Sequence, residues 1–213
     1  MLPEQEPGVP RDERDRTDGF EADSPRPRTV AVVVLIAGAV GFVAAFVLAV
    51  EKIALLINPS YSPSCTINAT VSCTSVMNSA QSAVFGFPNP LLGIGGFAAL
   101  ATTGAMLLAG GRLARWYRAA LQIAVLAGLV FVGWLIGQSL FVIKALCPYC
   151  MVVWVVTVTA CWYVTLENLR HWRHRLPSGI GRAVDFARRQ HVALLALVLL
   201  LLAGLVVVIA LGF

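Results

Sequence analysis

Five blocks of almost unbroken apolar sequence limit what this chain can fold into: 29–50, 91–109, 119–143, 148–166 and 192–213. A helix crosses the hydrocarbon core of a bilayer with about 20 apolar residues. Each block has roughly that length, and none shows the polar stripe that a surface helix of a soluble domain would carry. Hydrophobic residues make up 58% of the chain and charged residues only 13%, far from the balance of a soluble domain. The expected fold is therefore an all-α integral membrane protein, with a four-helix transmembrane bundle (29–166) and a fifth transmembrane helix (192–213).

The connections differ in character. Residues 1–28 carry eight acidic and five basic side chains with little apolar sequence, and read as a disordered tail. They do not read as a cleaved leader, because the apolar block after them is too long and has no clear cleavage site. Segment 51–90 is the longest connection between blocks and holds Cys65 and Cys73. Within it, 72–85 is expected to form a short amphipathic helix on the membrane surface, with Val76, Met77, Ala80, Val84 and Phe85 along one face. Segment 167–191 is a second basic loop.

Charge placement orients the bundle. With five crossings, the tail, the short loop around 110–118 and the 167–191 loop share one side. Together they hold 14 of the 16 Lys and Arg residues, leaving only Lys52 and Lys144 for the other. Basic loops stay in the cytoplasm, so the N-terminus is expected there. The net charge of +5 thus reflects orientation rather than a nucleic-acid partner. Segment 51–90 and the turn before the fourth block then lie outside the cytoplasm.

Both close cysteine pairs fall on that outer side: Cys65 with Cys73 in the long loop, and Cys147 with Cys150 at the start of the fourth block. Disulfides persist there and are reduced away in the cytosol. Cys147-Pro148-Tyr149-Cys150 is a CxxC at a helix start, where free backbone N–H groups favour a thiolate and a proline is well tolerated. CxxC also occurs in zinc sites and in soluble redox proteins, but the flanking blocks of membrane length argue against both. The loop pair can be a static staple or a redox pair. A dithiol can pass two electrons to a disulfide through a mixed disulfide, and two pairs on one face make a relay possible. Its natural terminal acceptor is a lipid-soluble quinone, since no haem, flavin or metal motif is present and His171, His174 and His191 all fall on the cytoplasmic side. Cys161, within the fourth block, reads as an apolar filler.

Together these residues resemble the vitamin K epoxide reductase family, specifically bacterial members that oxidise thiols in the cell envelope. The resemblance covers about residues 29–166. It rests on Cys65 and Cys73, on Ser79 six residues later, on the Phe-Gly-Phe-Pro-Asn-Pro-Leu-Leu-Gly-Ile run at 85–94, and on the CxxC. It implies a quinone-dependent thiol oxidoreductase in which Cys65 and Cys73 exchange with a thioredoxin-like partner, Cys147 accepts electrons from Cys73, and Cys150 lies beside the quinone. Ser79, Asn89 and Trp154 would belong to the quinone region; Trp154 stands where animal members carry a tyrosine. The quinone would be of the menaquinone, ubiquinone or phylloquinone type. Many bacterial members carry a fused thioredoxin domain after the fifth span, whereas this sequence ends at Phe213, so the partner is expected as a separate protein. The expected location is a bacterial plasma membrane. The contrasting reading is a non-catalytic membrane subunit whose disulfides are only structural.

Overall fold

The computed structural model describes residues 27–68, 70–172, 178–210 and 212. The expected tail falls outside the described residues except for its last two, which already belong to the first helix. Part of the second basic loop, 173–177, also lies outside them.

Among the described residues, five helices are long and apolar enough to cross a membrane: Arg28–Ile57, Pro90–Leu108, Arg115–Ile143, Pro148–Arg170 and His191–Ala210. The expected membrane helical bundle is thus the architecture observed. In chain order, α1 is Pro27–Ile57, α2 is Cys73–Met77, α3 is Pro90–Leu108, α4 is Arg115–Gly137, α5 is Pro148–Trp172, α6 is Ser178–Arg189 and α7 is His191–Ala210. There is no strand among the described residues, only an isolated bridge between Val71 and Leu146.

The apolar spans do not gain by hiding from lipid, so helix pairs here depend on close packing, for which small residues are suited. The antiparallel pair α1 and α3 shows this most clearly. A Cβ added to Gly104 would stand 2.5 Å from the backbone nitrogen of Leu35, and one added to Gly38 would strike the backbone of Ala101. Farther along the same seam, Gly41 receives the ring of Phe97 and Gly93 faces Ala45. Helix α5 completes the core against α1 and α4, burying Ala160, Cys161, Tyr163 and Val164 among Val30, Val34, Phe97 and Val125. Cys161 sits in this apolar core, as its sequence context suggests. Helix α7 is peripheral; Leu202, Val206 and Ile209 pack near Val132, Leu140 and Trp154, and Leu195 packs against the main core.

Two departures from regular helix shape the end that carries the cysteines. The amphipathic segment 72–85 is not one helix. Helix α2 ends at Met77, and a 3-10 helix follows over Ala80–Ala83. Ser79 between them is extended and donates its hydroxyl back to the carbonyl of Val76 at 2.7 Å, a local bond that competes with continued helix. Of the expected apolar face, Met77 is buried, while Val84 and Phe85 remain exposed. At the other departure, α4 widens into a π-helix over Gln138–Ile143, closed by Lys144 in the left-handed region at φ 54°. A non-glycine residue there is uncommon. It turns the chain within three residues into the CxxC, while the Ser139 hydroxyl donates to the carbonyl of Ala145 at 3.1 Å.

Candidate functional site

The loop cysteines are brought together by the residues that follow them. Thr66 and Thr74 share a hydroxyl hydrogen bond of 2.9 Å, and the backbone N–H of Thr74 donates to the Thr66 hydroxyl at 3.2 Å. Between them, the Asn68 side chain accepts from the N–H of Val71 at 2.7 Å, closing a tight turn. Cys65 and Cys73 are joined in a disulfide.

The second pair is registered against this loop by backbone. The N–H of Leu146 donates to the carbonyl of Thr70 at 2.7 Å, and the N–H of Ser72 donates to the carbonyl of Leu146 at 2.9 Å. Fixing the chain one residue ahead of each cysteine leaves Cys73 and Cys147 side by side, sulfur to sulfur at 3.1 Å. Cys147 and Cys150 are free thiols. The sulfurs of Cys65, Cys73 and Cys147 all lie within 4.8 Å of one another. Such a trio resembles part of a metal site, but two of the sulfurs are bonded to each other and have no thiolate to give a metal. The arrangement instead suits thiol–disulfide exchange, with a buried free thiol against the nearer sulfur of a disulfide.

Local folding also sets the reactivity of Cys147. Its carbonyl accepts from the N–H of Met151 at 3.0 Å, so it caps α5, with Pro148 at the first helical position. The Cys150 thiol donates to it, and the backbone N–H groups of Cys150 and Tyr149 add to that. These hold the Cys147 thiol below its ordinary range although burial opposes ionisation. A lowered value raises the thiolate fraction of Cys147 and makes it a better leaving group.

Cys150, whose thiol reaches Cys147, also lines a cavity of about 320 Å³. Helices α3 and α4 hardly touch each other, and the cavity fills the space between them, lined by Gly93 and Gly96 on one side and Ala124 and Gly128 on the other. Its walls are mostly apolar; its polar groups include Lys52, Ser79, Ser82, Asn89, Gln138 and Thr157. Trp154, one turn after Cys150, also lines it and is almost fully buried. An apolar chamber with a few polar groups and a thiol fits a flat, lipid-soluble molecule that carries carbonyl oxygens.

All seven residues singled out in the sequence lie at one end of the bundle. Cys65, Cys73 and Cys147 form the sulfur cluster, while Cys150, Ser79, Asn89 and Trp154 line the cavity. Much of the hydrogen-bonding capacity of Asn89 is spent on its own loop. Its side-chain oxygen accepts from the N–H of Val84 at 3.1 Å and its amide donates to the carbonyl of Gln81 at 2.7 Å, leaving one amide hydrogen for anything in the cavity. Ser82 donates to the carbonyl of Met77 at 2.6 Å. Gln81 reaches across to Gln138 at 3.3 Å, tying the loop to the π-helix.

Sequence reasoning gave Glu51 no role and Lys52 only a topological one. Glu51 is buried at 7% exposure and accepts from the Ser64 hydroxyl at 2.7 Å, beside Cys65. It also accepts from Tyr61, and that bond, aided by desolvation and the nearby negative charge, pushes the phenol above its ordinary value. Lys52 lines the cavity and donates to the carbonyl of Met77. The available signal was two adjacent charges inside the last turns of a membrane-length helix, where ionisable residues are costly.

A model of the vitamin K epoxide reductase family matches residues 32–165, well over half of the chain. No curated protein matches it.

Proposed function

The chain belongs to the vitamin K epoxide reductase family, and from that premise we propose that it is a membrane thiol oxidoreductase that oxidises a thioredoxin-like dithiol protein and reduces a membrane quinone. The observation that carries this reading is the 3.1 Å approach of Cys147 to Cys73 while Cys73 is bonded to Cys65. The alternative of purely structural disulfides gives no reason for a free thiol of lowered pKa to stand at that place.

The partner's dithiol reduces the Cys65–Cys73 disulfide and leaves as a disulfide. The Cys73 thiolate then attacks Cys147 in a Cys147–Cys150 disulfide. A Cys73–Cys147 bond forms and Cys150 departs as a thiolate. Cys65 attacks Cys73, restoring the loop disulfide and releasing Cys147. The arrangement described above, with the loop pair oxidised and the CxxC pair reduced, corresponds to this point. Finally Cys147 and Cys150 close their disulfide, giving up two electrons and two protons, and the quinone takes both and becomes the quinol.

The fit of the cavity supports a quinone of the menaquinone, ubiquinone or phylloquinone type as acceptor. Cys150 would meet the ring, Trp154 would pack against it, and Ser79 and Asn89 would shape the loop beside it. The gap between α3 and α4 offers a route for an apolar tail into lipid. The distribution of Lys and Arg supports placing the cysteine-bearing end outside the cytoplasm, where a secreted thioredoxin-like protein would meet Cys65.

The test follows quinone absorbance without oxygen, in detergent, with a reduced thioredoxin-like protein as donor. Quinone reduction that is lost in both Cys65→Ala and Cys150→Ala is the expected result. A loop disulfide that the donor never reduces, with no quinone consumed, would replace this reading with the structural one.

A further inference from the structure

Lys52 is the one charged residue among the described residues lining the cavity, and no carboxylate among the described residues pairs with it. Its neighbour Glu51 is engaged with Ser64 instead. The ammonium has three N–H groups, of which the Met77 carbonyl takes one. That carbonyl already accepts from Ser82 at 2.6 Å, so it does not need Lys52 to be satisfied. A fixed cation beside an apolar chamber is costly unless a countercharge appears there. Reduction of a quinone supplies one, because the two electrons leave negative charge on its oxygens. A cation held in place beforehand stabilises that charge most strongly where water is excluded.

Of the other polar groups on the loop side of the chamber, the hydroxyls of Ser79 and Ser82 are committed and Asn89 keeps one amide hydrogen. Ser79 donates to Val76, Ser82 to Met77, and Asn89 to Gln81. Lys52 differs from them in being a basic side chain with N–H groups to spare. Resting on the reading of the cavity as a quinone site, we infer that Lys52 is a catalytic residue of the quinone half-reaction. It hydrogen-bonds one quinone oxygen and passes a proton to it as electrons arrive from the Cys147–Cys150 pair. The balance holds: the thiol pair loses two electrons and two protons, one proton goes on to re-protonate Lys52, and the quinol carries both electrons and two protons.

The test uses the full chain in detergent with a naphthoquinone labelled at one carbonyl, and compares Lys52→Met and Lys52→Arg with the native protein. Infrared difference spectra read the carbonyl stretch of the bound quinone, because a charged donor lowers that frequency. The band should be lowered in the native and Arg proteins and return toward its unbound position in the Met protein. Quinone reduction in the Met protein should fall about a hundredfold, in the range seen on removing one donor to a developing oxyanion. The exchange between Cys73 and Cys147 should keep its native rate. Identical carbonyl bands in the native and Met proteins would overturn the assignment. Equal slowing of the thiol exchange would also overturn it, because a residue that merely braces the Met77 segment would disturb Cys73 as much as the quinone. Absence of a bound-quinone band in every protein, native included, would overturn the reading of the cavity itself and this inference with it.

Discussion

The backbone N–H of Ser72 donates to the carbonyl of Leu146 at 2.9 Å, and the next residue on each segment is a cysteine of a different pair. Hydrogen-bonded backbone thus holds Cys73 against Cys147, so their 3.1 Å separation does not depend on side-chain rotamers alone. Ser72 extends at φ −141° and its hydroxyl also caps α2 by accepting from the N–H of Ser75 at 3.2 Å.

Two substitutions at Ser72 separate those contributions. Ser72→Ala removes only the cap, at a cost of about 1 kcal/mol, and should leave sulfur exchange near its native rate. Ser72→Pro removes the N–H and demands φ near −65°, so exchange between the pairs should slow at least about tenfold. Quenched-flow alkylation followed by mass spectrometry reads both rates. Equal rates in the two variants would show that the backbone strap is not what aligns the sulfurs.

Removing the resolving thiol should trap the exchange. In Cys65→Ser or Cys150→Ser, the Cys73–Cys147 disulfide should accumulate under mild oxidation and appear in peptides from non-reducing digestion. Cys161, buried in the apolar core, should not appear in a cross-linked peptide. A dominant Cys65–Cys147 linkage would reverse the roles given to the loop cysteines.

The depressed ionisation of Cys147 has a definite sign in pH. Its thiolate should persist to lower pH than that of an ordinary cysteine, and the exchange rate should fall only as pH drops through that lowered value. The main cause is the Cys150 thiol, so Cys150→Ala should move the midpoint upward. Ultraviolet thiolate absorbance, taken as a difference against Cys147→Ser, measures it. An unshifted midpoint in Cys150→Ala would assign the effect to the helix start alone.

Glycines on and off the α1–α3 seam should respond oppositely. Gly104→Val puts atoms into the backbone of Leu35, and overpacking of this kind costs about 1–3 kcal/mol or more; the Tm in detergent should drop by several degrees. Gly95→Ala meets nothing within 4 Å and should leave Tm unchanged or raise it slightly, as helix propensity favours alanine. Equal responses would mean that the seam does not have this packing.

The spans were legible because a membrane imposes a length, and a run of apolar residues reports it directly. That Cys65, Cys73, Cys147 and Cys150 gather at one end was legible too, since counting crossings fixes which loops share a side. The Ser72–Leu146 strap was not, because backbone pairing between distant segments leaves no period in either. The break in 72–85 was hidden for a related reason: its apolar spacing suits a helix, while the Ser79 hydroxyl bonds the carbonyl of Val76 and ends it locally. Asn89 stood out in the sequence, but its two clasping bonds within the loop depend on a chain path no pattern encodes. Lys52 was counted as a topological charge, and only folding lays it along the cavity wall.

Cys73 holds one sulfur bond at a time, to Cys65 in the structure or to Cys147 across the short gap. In the proposed relay it would act electrically as the moving contact of a two-position switch. The circuit to the partner and the circuit to the quinone would share that single contact and never close together, so charge would cross in packets of two and a stray thiol at the surface would have no continuous path to the chamber.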